Sequence, residues 1–314
     1  MTVRTPALLR RGLAALTALA AISTVSACGD QTKDDRTALP SASAGTGAPL
    51  HDRLPEDIRS AGVIRVGSDI AYPPVEFKDA AGKTVGLDVD IARAMGEQLG
   101  VEMRFENGTF DTLVTGLRAD RFDVVMSAMN DTKNRQEGTD ATTGKKIGEG
   151  VDFVDYFTAG VSLYARKGDA SVTGWPALCG KKVVVQRATV AHDLATAESA
   201  KCPAGSPITV EAYDNDLEAQ TRLRSGGADA GCSDFPVAAY AVKTSGGGQD
   251  FQLVGAQTGA APYGIAVAKD RTQIRDALAA ALDAVIANGR YAQIVAEWGV
   301  QDGAVTKATV NGGS

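Results

Sequence analysis

The residues of this sequence best suited to chemistry are four cysteines, two histidines and a set of acids and arginines. Cys28 follows an apolar stretch from Leu13 to Ala27 and closes the run Val25-Ser26-Ala27-Cys28. Arg4, Arg10 and Arg11 precede it, and residues 1–27 contain no acid. A basic start, a short apolar run and small residues before a cut form the pattern of a secretory signal. The run is shorter than the roughly 20 residues that a helix needs to span a bilayer. Cys179 and Cys202 flank one short segment, and an oxidising compartment favours a disulfide between them. Closing a loop of about 24 residues is worth roughly 3 kcal/mol in the chain-entropy description. Cys232, in Ala230-Gly231-Cys232-Ser233, reads as a buried free thiol. With only His51 and His192 and no Cys-x-x-Cys spacing, neither a metal site nor a cofactor is expected. No Ser-His-Asp or Cys-His constellation is apparent.

The four residues ending at Cys28 resemble a bacterial lipobox. That resemblance implies diacylglycerol on the Cys28 sulfur, removal of residues 1–27, and an extracytoplasmic protein held to a membrane by lipid alone. Removing three arginines and no acid takes the net charge from −6 to −9. An acidic chain without a basic stripe argues against a nucleic-acid partner. Residues 28–53, rich in Ala, Ser, Gly, Asp and Pro, read as a disordered tether. About 25 flexible residues reach roughly 25–30 Å.

The remaining chain must position any site. Val63–Gly67 reads as a strand, and Leu87, Ile91, Met95 and Leu99 recur at helical spacing before Gly100. Phe110–Leu117 reads as a short helix and Phe122–Met126 as a buried strand. The alternation repeats with strand 181–186, a helix from Thr189, helix 217–224 and strand 228–232. Strand 264–267, helix 274–288 and helix 291–298 complete the pattern, with residues 301–314 as a loose tail. Alternating strands and helices predict an α/β fold with a mainly parallel sheet.

The order and spacing of several short runs resemble one family. They are Ile64-Arg65-Val66-Gly67, Ala71-Tyr72-Pro73-Pro74-Val75-Glu76-Phe77 and Gly86-Leu87-Asp88-Val89-Asp90. Further on come Phe122-Asp123-Val124-Val125, Asp131-Thr132-Lys133-Asn134-Arg135, Val151-Asp152-Phe153, and Tyr291 through Trp298-Gly299-Val300. Over about residues 54–300 the chain resembles the solute-binding proteins of amino-acid ABC importers, with the type II periplasmic-binding-protein fold. The resemblance implies two lobes, 54–158 with 264–300 and 159–263, joined by two strand crossovers and closing on a ligand. It implies as partners a free amino acid and the permease subunits of an ABC importer, and a monomeric receptor.

A free amino acid needs an Arg for its carboxylate, an acid for its ammonium and a pocket for its side chain. By resemblance, Arg135 takes the carboxylate and Asp234 the ammonium, while Tyr72 and Phe110 pack on the ligand. Asp69 meets the ligand side chain or caps a turn. Backbone near Ala128, Asn130 and Thr189 contacts the ligand. Two positions depart from the family: Asn130 stands where Ser or Thr is usual, and Ala188 where Gly is usual. If that loop needs positive φ, Ala188 strains it or changes its path. Residues 138–150 are longer than usual and form either a surface loop or a flap. Arg187 either faces the cleft and selects an acidic ligand, or points to solvent, or pairs with Asp69. The alternatives to a receptor are a dehydratase-type enzyme on the same fold, or a sensor for a separate signalling partner. An enzyme would need a carboxyl with a raised pKa at the leaving group.

Overall fold

The computed structural model describes residues 47–314. Cys28, the proposed signal and tether residues 28–46 lie outside the described residues. Helix α1 (Glu56–Ala61) ends at Gly62, whose φ of 65° turns the chain into β1 (Val63–Ser68). A two-stranded ribbon, β2 (Phe77–Lys78) and β3 (Thr84–Val85), leads to α2 (Leu87–Leu99) and β4 (Glu102–Asn107). Leu87, Ile91, Met95 and Leu99 are all buried, so α2 docks along a stripe of four-residue period. Helix α3 (Leu113–Arg118), β5 (Val124–Val125) and α4 (Lys133–Glu137) follow.

The chain then leaves this half along a strand of 16 residues, β6 (Val151–Arg166). The second half is built from β7 (Lys182–Gln186), α5 (Val190–Ser199), β8 (Thr209–Tyr213), α6 (Asp216–Arg224), β9 (Ala230–Asp234) and α7 (Phe235–Thr244). A second long strand, β10 (Phe251–Ala268), returns along β6. Helices α8 (Thr272–Ala287) and α9 (Arg290–Glu297) and strand β11 (Ala304–Val310) complete the first half.

The sheet order is β4-β1-β5-β10-β6-β9-β7-β8, with β11 on β6. The triplets β4-β1-β5 and β9-β7-β8 are parallel. The long strands run antiparallel to each other because one leaves the half to which the other returns. Their ladder shifts register between Val254 and Thr258 and again before Ala261, midway between the halves. Each half has its own core: one gathers Ile64, Val66, Met95, Ile265, Leu278 and Leu282, another Leu163, Val183, Val185, Leu178 and Ala195. The Cys179–Cys202 disulfide ties the turn before β7 to the end of α5, and Cys232 is a buried free thiol in β9.

Two boundaries differ from expectation. Residues 301–314 are not a loose tail. The Val305 N–H donates to the Tyr291 hydroxyl (3.0 Å), the Ala308 N–H to Asp283 (2.8 Å) and the Gly313 N–H to Asp131 (2.8 Å). These bonds occupy backbone groups that a tail would leave to water. The folded body also begins before Leu54, because the Leu50 N–H donates to Gln98 O (3.0 Å) and His51 Nδ1 pairs with Leu99 O (3.0 Å). The sequence signal failed at both places because polar residues mask a segment held by backbone bonds. Among the described residues, no helix is long and apolar enough to cross a membrane.

Candidate functional site

The parallel strands of both halves end at one cleft, as ligand sites do in open α/β sheets. Asp69 and Tyr72 follow β1, Phe110 follows β4, and Ser127, Ala128 and Asn130 follow β5. From the other half, Gln186 ends β7, Thr189 caps α5 and Asp234 ends β9. These nine residues line a cleft of about 250 Å³ including its open mouth. The sequence expectations are thus brought together, with Arg135 at the edge of the group.

Arg135 sits on α4, whose N-cap Thr132 accepts the Arg135 N–H (3.4 Å). Its Nη1 donates to Asn130 O (2.8 Å) and its Nη2 to Ala188 O (2.9 Å). The guanidinium lies over the Phe110 ring, 5.4 Å from the centroid. Two of its five donors are spent on backbone carbonyls, which aim the fork and leave the other donors for an anion. Burial lowers the pKa of this guanidinium, a sign that a negative partner is favourable here.

Two acids line the cleft. Burial pushes the Asp69 carboxyl up to about 6, against the hydrogen bond from Gln186 Nε2 that pulls it down. Asp216, Asp111 and Glu218 add like charge around it. Burial also raises Asp234 to about 6, and interactions with Tyr263 and Tyr72 oppose the shift. The Asp234 N–H donates to the Tyr72 hydroxyl (3.3 Å), a bond between the halves. An acid held near neutrality by burial gains most from a cation placed beside it.

Thr189 accepts the His192 N–H (3.2 Å) and donates to Gln186 O (2.8 Å), which fixes the first turn of α5 at the cleft. Ala188, just before it, has φ +61°, so the positive-φ path is kept despite the side chain. Ala128 does the same at φ +46°. Arg187 pairs with Asp214 (3.4 Å) and Ala212 O (3.1 Å) and does not line the cleft, and Asp69 pairs with Gln186 rather than with it. No residue of 138–150 lines the cleft either; Asp140 caps a turn there, with Thr139 bridged to Lys146. Sequence reasoning missed Ser127, Gln186 and Tyr263. A strand-end argument reaches the first two, whereas nothing local marks Tyr263. Among the described residues, no group of acids, histidines and cysteines is placed to hold a metal.

A family model described as bacterial extracellular solute-binding proteins, family 3, matches residues 64–301. An arginine-binding protein of Corynebacterium glutamicum is 34% identical over 262 residues, covering 82% of this chain and 81% of that protein. An ancestral arginine-binding protein solved bound to arginine has a TM-score of 0.67 at 33% identity, covering 76% of this chain and 98% of the other. An ancestral amino-acid-binding protein described as a precursor of cyclohexadienyl dehydratase also has a TM-score of 0.67, at 30% identity, covering 77% and 98%.

Proposed function

This chain belongs to the bacterial extracellular solute-binding proteins of family 3, and from that premise we propose that it is a receptor for a free amino acid with a cationic side chain, arginine foremost. The observation that carries the reading is the cleft's charge layout, with Asp69 and Asp234, two carboxyls that burial has raised, lining it and Arg135 at its edge on Asn130 O. Arg135 meets the α-carboxylate and Asp234 the α-ammonium. Asp69, ringed by further acids, meets a second positive charge at the end of the side chain. Tyr72 and Phe110 pack on the aliphatic stem, and the first turn of α5 at Thr189 and the backbone at Ala128 and Asn130 complete the shell.

In this reading lobe 1 comprises 54–158 and 264–300, with the strand through Val310 added, and lobe 2 comprises 159–263. Lobe 1 captures the ligand and lobe 2 closes on it about the register-shifted middle of β6 and β10. The closed outer surface then presents cargo to the permease subunits of an ABC importer. The receptor works as a monomer outside the cytoplasm, anchored by lipid on Cys28, and carries out no reaction on its ligand.

The test is thermal unfolding and calorimetric titration of residues 29–314 against the common amino acids, ornithine and prephenate. Ligand at about 100 times its dissociation constant adds roughly 2.7 kcal/mol of stability. Stabilisation by arginine, lysine or ornithine is the expected result. Selective binding of neutral or acidic amino acids overturns the cationic assignment. Turnover of prephenate favours the dehydratase reading, for which Asp69 would be the raised acid. Fractionation of cells carrying Cys28→Ser tests the anchor, and a protein still in the membrane fraction refutes it.

A further inference from the structure

Beneath the cleft floor lies a second pair of acids, Glu76 and Asp88, both fully buried. The Ser127 hydroxyl donates to Glu76 Oε1 (2.8 Å) and accepts the Asp69 N–H (3.0 Å). Asp88 Oδ2 accepts the Ala128 N–H (3.1 Å) and the Tyr156 hydroxyl (2.7 Å). The two acids therefore hold, at one remove, the residues read above as facing the ligand. Ala128 has φ +46°, a conformation that an alanine keeps only when its surroundings impose it. The Asp88 bond to its N–H is one such imposition.

The backbone gives these acids little room to part. The Asp88 N–H donates to Val75 O (3.0 Å), joining the start of α2 to the residue before Glu76. Gly86 sits at this corner with φ +142°, and a Cβ there would lie 2.0 Å from Val75 O. Each acid has one buried oxygen without a hydrogen-bond partner, Glu76 Oε2 and Asp88 Oδ1. Burial and the neighbouring Asp88 charge raise the Glu76 carboxyl well above the usual carboxylate range, so Glu76 is the acid that keeps a proton. Two adjacent buried carboxylates do not both ionise.

The surroundings decide which one keeps the proton. Asp88 lies in the first turn of α2, where the helix dipole favours an anion, and accepts two further donors. Glu76 accepts only the Ser127 hydroxyl. Asp69, Tyr156 and Tyr263 are the other titratable groups turned towards the pair, and burial keeps the tyrosines neutral. We infer that Glu76 and Asp88 are positioning residues that share one proton, with neutral Glu76 holding Ser127 and Asp69 and anionic Asp88 holding Ala128 in its positive-φ turn. The inference rests on the proposed reading of Asp69 and Ala128.

The test compares Glu76→Gln, Glu76→Leu, Asp88→Asn and the double variant Asp88→Asn with Ala128→Gly. Arginine affinity is read by calorimetry and folding by thermal unfolding, both at pH 8, above the value of about 7 to which burial raises Asp88. Glutamine donates a hydrogen bond as the protonated acid does, so Glu76→Gln is expected within about threefold of the unaltered affinity. Glu76→Leu and Asp88→Asn are each expected to lose about tenfold or more, the first because the Ser127 hydroxyl loses its acceptor and the second because the Ala128 N–H and Tyr156 hydroxyl lose a charged acceptor and an NH2 donor is buried in place of an oxygen. Glycine reaches positive φ unaided, so the double variant is expected to recover most of the Asp88→Asn loss. A merely structural pair treats the two amide substitutions alike. Equal losses in Glu76→Gln and Asp88→Asn overturn the assignment, as does a folded double variant without recovery. Should arginine not bind the unaltered protein, the receptor reading fails by itself. The same order of variants is then required of the unfolding temperatures, and a Glu76→Gln drop equal to that of Asp88→Asn refutes the pair.

Discussion

The carbonyl oxygen of Ala188 accepts a hydrogen bond from Arg135 Nη2 at 2.9 Å. Arg135 belongs to the first half of the molecule and Ala188 to the second, so one bond links the proposed carboxylate ligand to the opposing wall. Ala188 presents that carbonyl from φ +61°, where a Cβ is unfavourable. The strain is local and lies on the path that places the first turn of α5 at the cleft.

Ala188→Gly should therefore stabilise the protein. Alanine at positive φ costs about 1 kcal/mol relative to glycine, which corresponds to a rise of a few degrees at most in a chain of this size. Arginine affinity should stay within about twofold, because the carbonyl that Arg135 uses is retained. Differential scanning calorimetry decides the matter. A lower unfolding temperature would mean that the loop adopts another path once the side chain is gone.

Arg135→Ala should remove most binding. Without the guanidinium, the ligand carboxylate enters a buried site with no bidentate, charge-assisted partner, and affinity should fall by about a hundredfold or more. Arg135→Lys should recover only part of it, because an ammonium lacks the planar fork. Calorimetric titration with arginine measures both. Tight binding by Arg135→Ala would sink the site assignment.

The sequence was legible where chemistry and periodicity coincide. The stripe Leu87, Ile91, Met95 and Leu99 marks α2, and the motif around Arg135 marks the cation of the cleft. Ala188 was legible as an anomaly, and its positive φ shows that the backbone path is kept while the residue type changes. Less was legible of the long strands β6 and β10. Both are continuous runs whose second function, crossing between halves, leaves no periodic mark. Gln186 and Ser127 were passed over because neither carries charge, although each sits where a strand ends at the cleft. Strand β11 escaped because its residues are mostly exposed and its contribution is made by backbone bonds.

Deleting residues 304–314 should destabilise the first half. The deletion strips β11 from β6 and removes the Val305 N–H from the Tyr291 hydroxyl. It also takes the Gly312 and Gly313 N–H groups from Asp155 and Asp131, leaving two buried acids with fewer donors. Each such loss costs roughly 1–3 kcal/mol. Chemical denaturation should show a lower midpoint, and an unchanged midpoint would mean that the strand is dispensable to the fold.

Binding of arginine should depend on pH with a definite sign. Asp69 and Asp234 are both raised to about 6 by burial, so each holds a proton in the free protein below that value. A cation is best met by the ionised acid, so binding on the acid side must release protons. Affinity should then rise as pH climbs towards about 6 and level off above it, by up to about tenfold per pH unit for each proton released. Stability of the free protein runs the other way. A raised carboxyl binds its proton more tightly in the folded state, so its contribution is full at low pH and is lost as pH rises from the unfolded value through about 6. Asp69→Asn should remove one proton from the slope and weaken arginine and lysine while sparing amino acids with neutral side chains. Asp234→Asn should weaken every α-amino acid. Titrations between pH 5 and 8, in buffers of differing ionisation heat, count the protons directly. An affinity that is flat across this range would show that neither carboxyl changes charge when the ligand arrives.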